Sequence, residues 1–401
     1  MISAEKNLML TRVGRGTEMG ELLRRYWWPI APELELRERG VKAIRLLGED
    51  LVLYRSGDGE YGLIARRCPH RQMDLEHGLV EERGLRCPYH GWMFDKTGEC
   101  IEQPFESVCR DAAGSARKLR TQAYPVQSRA GLLWAYLGPE PVPCLADWDR
   151  YYDRGYKQVM FTTLPCNWLQ CQENSIDPVH FEWLHEYWDS RRRGEPDRRR
   201  RHINIGFDEF EYGFIYRRIY EGGSEQDESW RIGRVLLWPN GLFVGGFDWT
   251  IPIDDNNTLR IRWTIHPLPG DRPFEQAEIP YFHAPAIDAE TGRMHTAAGT
   301  NQDYVAMVSQ GVLTDRTKEH LGASDRGIVM MRKRLQMDLE AIARGEDPKA
   351  VLRDAARNVR MPLPCMSSER RTPARVRPEP IVGQPRSILD ELERVWAEHS
   401  I

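Results

Sequence analysis

Cys68-Pro69-His70, then sixteen residues, then Cys87-Pro88-Tyr89-His90-Gly91-Trp92 is the stretch from which the rest of the chain is read. Two cysteines and two histidines stand in two short pairs, one C-x-H and one C-x-x-H. Pro69 and Pro88 fix φ and remove a backbone donor, so each pair sits in a stiff loop. Stiff loops suit ligands that must hold still while charge changes.

Thiolates take zinc or iron–sulfur clusters, and imidazole accepts either metal. A finger-type zinc site pairs cysteine with cysteine and histidine with histidine. Here each pair mixes sulfur with nitrogen. That matches a [2Fe–2S] cluster in which two cysteines hold one iron and two histidines the other, each loop giving one ligand to each iron. Such Rieske centres have higher potentials than all-cysteine ferredoxins, because neutral imidazole replaces thiolate. Structural zinc and chance spacing are the rival readings, and the mixed pairing speaks against both.

Around this motif lies a chain of 401 residues, 41% hydrophobic and 29% charged, with a net charge of −4. That is an ordinary soluble balance, with length for a sizeable core and a prior of two domains. The charge is too near neutral to argue for nucleic acid or a membrane as partner. No apolar run approaches the ~18 residues of a membrane span. Glu5 and Lys6 interrupt the N-terminus, so no secretory signal is read and a cytoplasmic location is expected. Beyond the motif, Cys100, Cys109, Cys144, Cys166, Cys171 and Cys365 lack framework spacing and read as free thiols. The 13 tryptophans read as core fillers at element ends rather than pocket walls.

Met19 to Trp28 has helical spacing ended by Pro29, which makes residues 1–34 an N-terminal helical segment. Gly14, Gly16 and Gly20 have the wrong spacing for a dinucleotide fingerprint. From Val41 the texture is β, through Leu51–Tyr54 and Tyr61–Ile64 to a buried strand at Leu132–Leu137. The proline-rich run 138–143 is a break. Residues 35–145 therefore read as an all-β, cluster-bearing domain and 146–401 as a second domain. In the latter, Asn167–His185 is helical in pattern, and 203–268 is a series of short β runs forming an antiparallel sheet. Ser324 is the expected N-cap of a long helix, Asp325–Arg344, ended by Gly345. Residues 366–386 are expected to be extended, and Ile388–His399 forms a last helix. The fold class is α+β. Arg191–Arg201 holds seven arginines and reads as a solvated loop more than as a docking patch for an acidic redox partner.

A second constellation follows in Asn174-Ser175-Ile176-Asp177-Pro178-Val179-His180, with His185 five residues on. Five residues turn an ideal helix by about 500°, so the two histidines do not share a face. Joint ligation needs a π-bulge or a helix break, which Pro178 can supply. Alone, two histidines in an aromatic segment are ordinary core or surface residues; with the cluster motif upstream they read as ligands. An oxygen-activating Fe(II) site takes two histidines and one carboxylate on one face and leaves the other open for O₂ and substrate. The downstream candidates for the carboxylate are Asp288, Glu290, Asp303, Asp315 and Glu319. Asp303 ranks slightly above the rest because it opens the apolar segment Tyr304–Val308.

On Asn7–Gly14, Met19–Trp27, the cluster loops, Asn167-Trp168 leading to Glu173-Asn174, Gln302-Asp303, and Asp315–Gly322 with Ser324-Asp325, the chain resembles the Rieske non-haem iron ring-hydroxylating oxygenases. The likeness runs nearly end to end and is to α-subunits of the phthalate-dioxygenase branch. It implies a Rieske β-domain followed by a catalytic antiparallel sheet with flanking helices, of helix-grip type. It implies Cys68, His70, Cys87 and His90 as ligands of a [2Fe–2S] cluster, and His180, His185 and Asp303 as ligands of a mononuclear Fe(II). It assigns Asp177 as a carboxylate bridging a cluster histidine of a neighbouring subunit to an iron histidine, with Asn174 beside it as a second candidate catalytic residue. A metal-bound imidazole does donate its other N–H to such a group; a plain helix cap is the alternative for Asp177.

The activity so implied is that of a terminal oxygenase. It takes electrons one at a time from a separate flavin/iron–sulfur reductase, ultimately from NADH. It uses O₂ to hydroxylate or O-demethylate a small aromatic substrate, an aryl carboxylate or aryl ether. A head-to-tail homotrimer, or a dimer of trimers, is the expected assembly. No reductase domain is read in the chain, which has no dinucleotide fingerprint in a βαβ unit and no plant-type ferredoxin cysteines. The rivals are a Rieske electron carrier without oxygenase activity and a zinc-stabilised nucleic-acid binder, the latter opposed by the net acidity. An anionic substrate would want a buried arginine. Arg217, Arg218, Arg234, Arg260 and Arg262 lie on expected strands, and strand alternation from sequence does not choose among them.

Overall fold

Trp27–Pro32 is a strand, not the end of a helix. The computed structural model describes residues 1–104, 119–376 and 381–400, so Cys109 lies outside the described residues. The helix covers only Glu18–Leu23. Trp27–Pro32 is buried throughout and pairs antiparallel with Leu132–Tyr136, Trp27 opposite Tyr136. Adjacent tryptophans favour a strand, and Pro29 is tolerated because this strand lies at a sheet edge. The 1–34 segment is accordingly divided. Arg24–Leu145 forms one compact unit, and Met1–Leu23 groups with Ala146–Ile401 in the other.

In the Arg24–Leu145 unit three small antiparallel sheets stack short strands, among them Val41–Leu46, Glu49–Arg55 and Tyr61–Ala65 in one, and Leu79–Glu81, Gly84–Arg86, Met93–Phe94 and Cys100–Glu102 in another. Val52, Tyr54, Ile64, Leu75, Leu85 and Phe94 form a core that includes Cys68 and Cys87. Both thiols are thus anchored in close-packed interior, where ligands hold position.

The larger unit is built on one eight-stranded sheet. Its strands are β1 (Tyr156–Leu164), β2 (His202–Phe210), β3 (Gly213–Tyr220), β4 (Arg234–Leu237), β5 (Gly241–Phe243), β6 (Gly246–Pro252), β7 (Thr258–His266) and β8 (Tyr281–His283). Their order is β2-β3-β4-β5-β6-β7-β1-β8. All pairings are antiparallel except the last: β8 runs parallel to β1, because the connection 267–280 carries the chain across it.

Cross-strand register settles which residues share a face. Leu236, Leu242, Asp248, Arg262 and Met160 stand opposite one another in a row across β4, β5, β6, β7 and β1. Arg260 stands opposite Thr250 and Thr162 in the next row, and Arg234 opposite Tyr216. With a period of two, Arg218, Arg234, Arg260 and Arg262 fall on one face and Arg217 on the other.

Helices α1 (Trp168–Ile176), α2 (Gly299–Val308), α3 (Arg326–Ala343) and α4 (Arg386–Glu398) belong to the same unit. Asn167 caps α1: its side-chain oxygen accepts from the Leu169 N–H at 3.1 Å, and its amide donates to the Thr11 and Asp255 carbonyls. The start of α3 departs from expectation. Ala323–Asp325 is a single 3₁₀ turn, and the Asp325 carboxylate, not Ser324, reaches back to accept from the Gly322 N–H at 2.6 Å. Within the expected extended stretch 366–386, Ser367–Glu369 is instead a short helical turn. Ile388, Leu392 and Val395 of α4 pack on Tyr156, Met160 and Phe282. Among the described residues no helix is long and apolar enough to cross a membrane.

Candidate active site

The two cluster loops repeat one geometry. The Cys68 N–H donates to the Met73 carbonyl and the Gln72 N–H to the Cys68 carbonyl; the Cys87 N–H donates to the Trp92 carbonyl and the Gly91 N–H to the Cys87 carbonyl. In both, the residue four after the cysteine has positive φ, +61° at Gln72 and +76° at Gly91. Glycine takes that conformation freely, whereas Gln72 is held in it. Cys68 and Cys87 are 1% and 2% exposed, while His70 is half-buried and His90 exposed. The imidazoles adjoin edge to face with centroids 4.5 Å apart, and Trp92 stacks flat on His70 at 4.2 Å. Trp92 thus walls the site while also packing on the core.

Burial, and next to it the neighbouring Cys87 thiol, push the Cys68 thiol up to about 11. A bound metal offsets that cost by holding sulfur as thiolate. A single zinc, with bonds of about 2.0–2.3 Å, draws its donor atoms within ~4.6 Å of one another. Among the described residues, three or more donors lie within 4.8 Å of one another only at His180, His185 and Asp303. Two mixed Cys/His pairs, with both thiols buried and both imidazoles nearer the surface, fit a two-iron core with sulfur on its buried side.

The second site is made where α1 ends. Asp177 closes the helix and its Oδ1 accepts from the Val179 N–H at 2.8 Å. Pro178 has no N–H to continue the ladder. Beyond it Phe181–Trp188 winds as a π-helix. Its i→i+5 bonding brings residues five apart near one side, and the His180 and His185 rings meet with centroids 5.1 Å apart.

Asp303, on α2, completes the group. Its Oδ1 lies 3.0 Å from His185 Nε2 and 3.4 Å from His180 Nε2. Asn174 Nδ2 approaches the same oxygen at 3.4 Å. Burial alone would raise Asp303, but the two imidazoles hold it well below the usual carboxylate range. Burial would likewise lower His180, but Asp177 and Asp303 outweigh it and raise it to about 9. A proton here does the work of a cation, and two imidazole nitrogens and a carboxylate facing one point fit a divalent iron. The other sequence candidates are engaged elsewhere. Glu319 accepts from Arg332, Asp315 from Thr317, Asp288 from Thr291, and Glu290 is exposed.

Residues 26–122 match the Rieske [2Fe-2S] domain family. The chain is 50% identical over 368 residues to the 5,5'-dehydrodivanillate O-demethylase oxygenase subunit of Sphingobium sp. (strain NBRC 103272 / SYK-6), covering 91% of this chain and 87% of that one. The chain belongs to the Rieske non-haem iron oxygenases. It is also similar to the phthalate 4,5-dioxygenase oxygenase subunit of Pseudomonas putida, 28% identical over 86% of this chain and 88% of that one. The solved structure of Pseudomonas putida CBB5 NdmA shares the fold with a TM-score of 0.55 at 22% identity, over 82% of this chain and 94% of that one.

Several residues of this oxygenase were given no role from sequence. Gln302 accepts from His185 Nδ1 at 3.0 Å and donates to Asp189 Oδ1 at 2.8 Å. Asp189 can only accept, so it fixes the amide's orientation and, through it, the His185 tautomer. Behind the site Glu173 is buried between Arg316 and Arg332, at 2.7 Å and 2.6 Å. The adjacency of Gln302 to Asp303 was the available signal for the first; nothing local signals the second, which joins residues over 140 apart in sequence. Asp177 Oδ2 stands 3.6 Å from His180 Nδ1 with the aspartate 27% exposed. A cavity opens on His180 and Asp303. Leu242, Val244, Asp248, Arg234, Arg260 and Arg262 line it from the sheet.

Proposed function

We propose that this oxygenase removes the methyl group of a methoxylated aryl carboxylate, with 5,5'-dehydrodivanillate or a close analogue as substrate. The carrying observation is the convergence of His180, His185 and Asp303 on a cavity lined by three arginines, in a chain half identical to an O-demethylase subunit. Cys68, His70, Cys87 and His90 would hold the [2Fe–2S] cluster, and His180, His185 and Asp303 a mononuclear Fe(II). When bound, the cluster supplies single electrons and the ferrous ion activates O₂.

The protein's own groups do the rest. Gln302 keeps His185 Nε2 free as a donor atom, and Asn174 steadies Asp303 Oδ1. The exposed His90 gives electrons a way out of the buried sulfur side. Asp177, half-buried beside His180, is suited to accept an imidazole N–H from a neighbouring chain as well. A head-to-tail trimer is the assembly that goes with such a bridge. NADH is the ultimate donor through a separate flavin/iron–sulfur reductase. In the balance, O₂ takes two electrons and two protons, one oxygen leaves as water, and the methyl carbon leaves as formaldehyde with the phenol.

The test is turnover of 5,5'-dehydrodivanillate by the purified protein with a surrogate reductase and NADH. Formaldehyde and a singly demethylated phenol are expected in equal amounts. NADH consumption without either product, across a panel of methoxylated aryl acids, would sink the reading.

A further inference from the structure

Four arginines share the inward face of the sheet, and they are not equivalent. Arg260 Nη2 and Arg262 Nη1 face Asp248 at 3.6 and 3.8 Å. Arg260 also donates to Thr250, and Arg262 to Thr300 at the start of the Asp303 helix. These two share Asp248 as counter-ion, although Arg260 Nε is itself buried without a hydrogen-bond partner. Arg234 differs. Its Nε donates to Glu369 at 3.1 Å, while its Nη1 is buried without a hydrogen-bond partner, and the residue lines the cavity. Arg218 differs further. It is 5% exposed, its Nη1 also lacks a partner, and no carboxylate pairs with it among the described residues.

The two guanidiniums flank one ring. Arg218 lies 4.6 Å and Arg234 5.0 Å from the centroid of Phe181, the residue that follows the ligand His180. Of these two buried cations only Arg234 has a carboxylate partner, Glu369. A buried charge without a counterion is costly, and the mutual repulsion of the pair, after burial itself, already lowers Arg218. Of the two, Arg234 lines the cavity. From β4 to β6 is two strand spacings, roughly 10 Å, and the lining between them is Leu242 of β5 and Val244, just past the end of that strand. That is an apolar floor of about the length of a substituted aromatic ring, with a cationic end.

We propose that Arg234, backed by Arg218, is the carboxylate-recognising end of the cavity. A substrate carboxylate accepts from Arg234 Nη1, the ring lies over Leu242 and Val244, and the group to be oxidised is directed toward His180 and Asp303. This rests on the aryl-acid reading above and deepens it.

The test compares 5,5'-dehydrodivanillate with its neutral diamide, by titration calorimetry on the oxygen-free holoenzyme of wild type, Arg234→Gln, Arg234→Lys and Arg218→Gln. Wild type is expected to prefer the acid. Arg234→Gln should weaken the acid about 10–100-fold, the worth of a charge-assisted hydrogen bond, and leave the diamide within about twofold. Arg234→Lys should recover part of the loss, and Arg218→Gln should show a smaller loss of the same sense. The double variant Arg234→Gln/Glu369→Gln removes the stranded buried carboxylate and should discriminate like the single one; the cluster spectrum and iron content report folding in each case. If Arg234→Gln keeps the wild-type preference for the acid, or loses acid and diamide equally, the assignment of Arg234 is wrong while the aryl-acid reading stands. If wild type itself does not prefer the acid, both fall together.

Discussion

Replacing Gln302 by leucine removes an acceptor from His185, a proposed iron ligand, at nearly constant volume. Gln302 is 2% exposed, so water cannot take its place freely. Its Oε1 is the partner of His185 Nδ1 at 3.0 Å, and its Nε2 is tied to Asp189. Leucine strands the imidazole N–H, and a buried unpaired donor costs about 1–3 kcal/mol. Independently, loss of a hydrogen bond behind a metal ligand typically costs 10–100-fold in affinity, about 1.4–2.8 kcal/mol. The two estimates overlap, so the expected rise in the Fe(II) dissociation constant is about 10–100-fold. Gln302→Glu separates the causes. It restores an acceptor for His185 but sets a second carboxylate against Asp189, whose own charge is shared with Arg192 and Arg193; its loss should fall between wild type and Gln302→Leu. The assay is an anaerobic Fe(II) titration against a competing chelator, with the cluster absorption as internal control. Wild-type iron affinity in Gln302→Leu would refute the role given to this side chain.

Other outcomes follow from the same geometry. Asp177→Asn should cut product formation at least about tenfold while cluster and mononuclear iron both stay bound; loss of the iron instead would make Asp177 structural. In the metal-free protein His180 titrates at about 9 against 6.5 unperturbed, so the stability its proton confers is fully present below about pH 6.5 and lost as pH rises through about 9. Fe(II) binding at pH 7.5 should therefore release about one proton, measured by calorimetry in buffers of different ionisation enthalpy; no release would contradict the paired geometry. Arg316→Met leaves Glu173 with Arg332 alone, and since Arg316 is 0% exposed the loss should approach the about 3–5 kcal/mol of a broken buried pair, read as a lower urea midpoint. A midpoint unchanged from wild type would show that Arg332 suffices.

Local chemistry made much of this legible from sequence. The Cys/His pairs announce their metal because few arrangements mix sulfur and nitrogen that way, and the five-residue spacing of His180 and His185 demanded the disruption that the Pro178 break and the π-helix supply. What stayed hidden depends on contacts distant in the chain. Five carboxylates competed for the third ligand place, and only packing of α2 beside the π-helix separates Asp303 from Asp315 or Glu319. The face carrying Arg218, Arg234, Arg260 and Arg262 is fixed by strand register, which short β runs do not reveal. Trp27 and Trp28 were misread because the helical period of Leu22, Leu23 and Tyr26 runs on into them, and pairing with Leu132–Tyr136 decides otherwise.

The claim on which all else depends is that one chain carries a cluster and a separate mononuclear iron. Metal and sulfide analysis of anaerobically purified protein tests it most directly, alongside the His180→Ala variant. About three irons and two labile sulfides per chain are expected for the native protein, falling to about two irons with the cluster spectrum intact in the variant. Two irons in both would leave an electron carrier, and stoichiometric zinc in place of iron would contradict the account altogether.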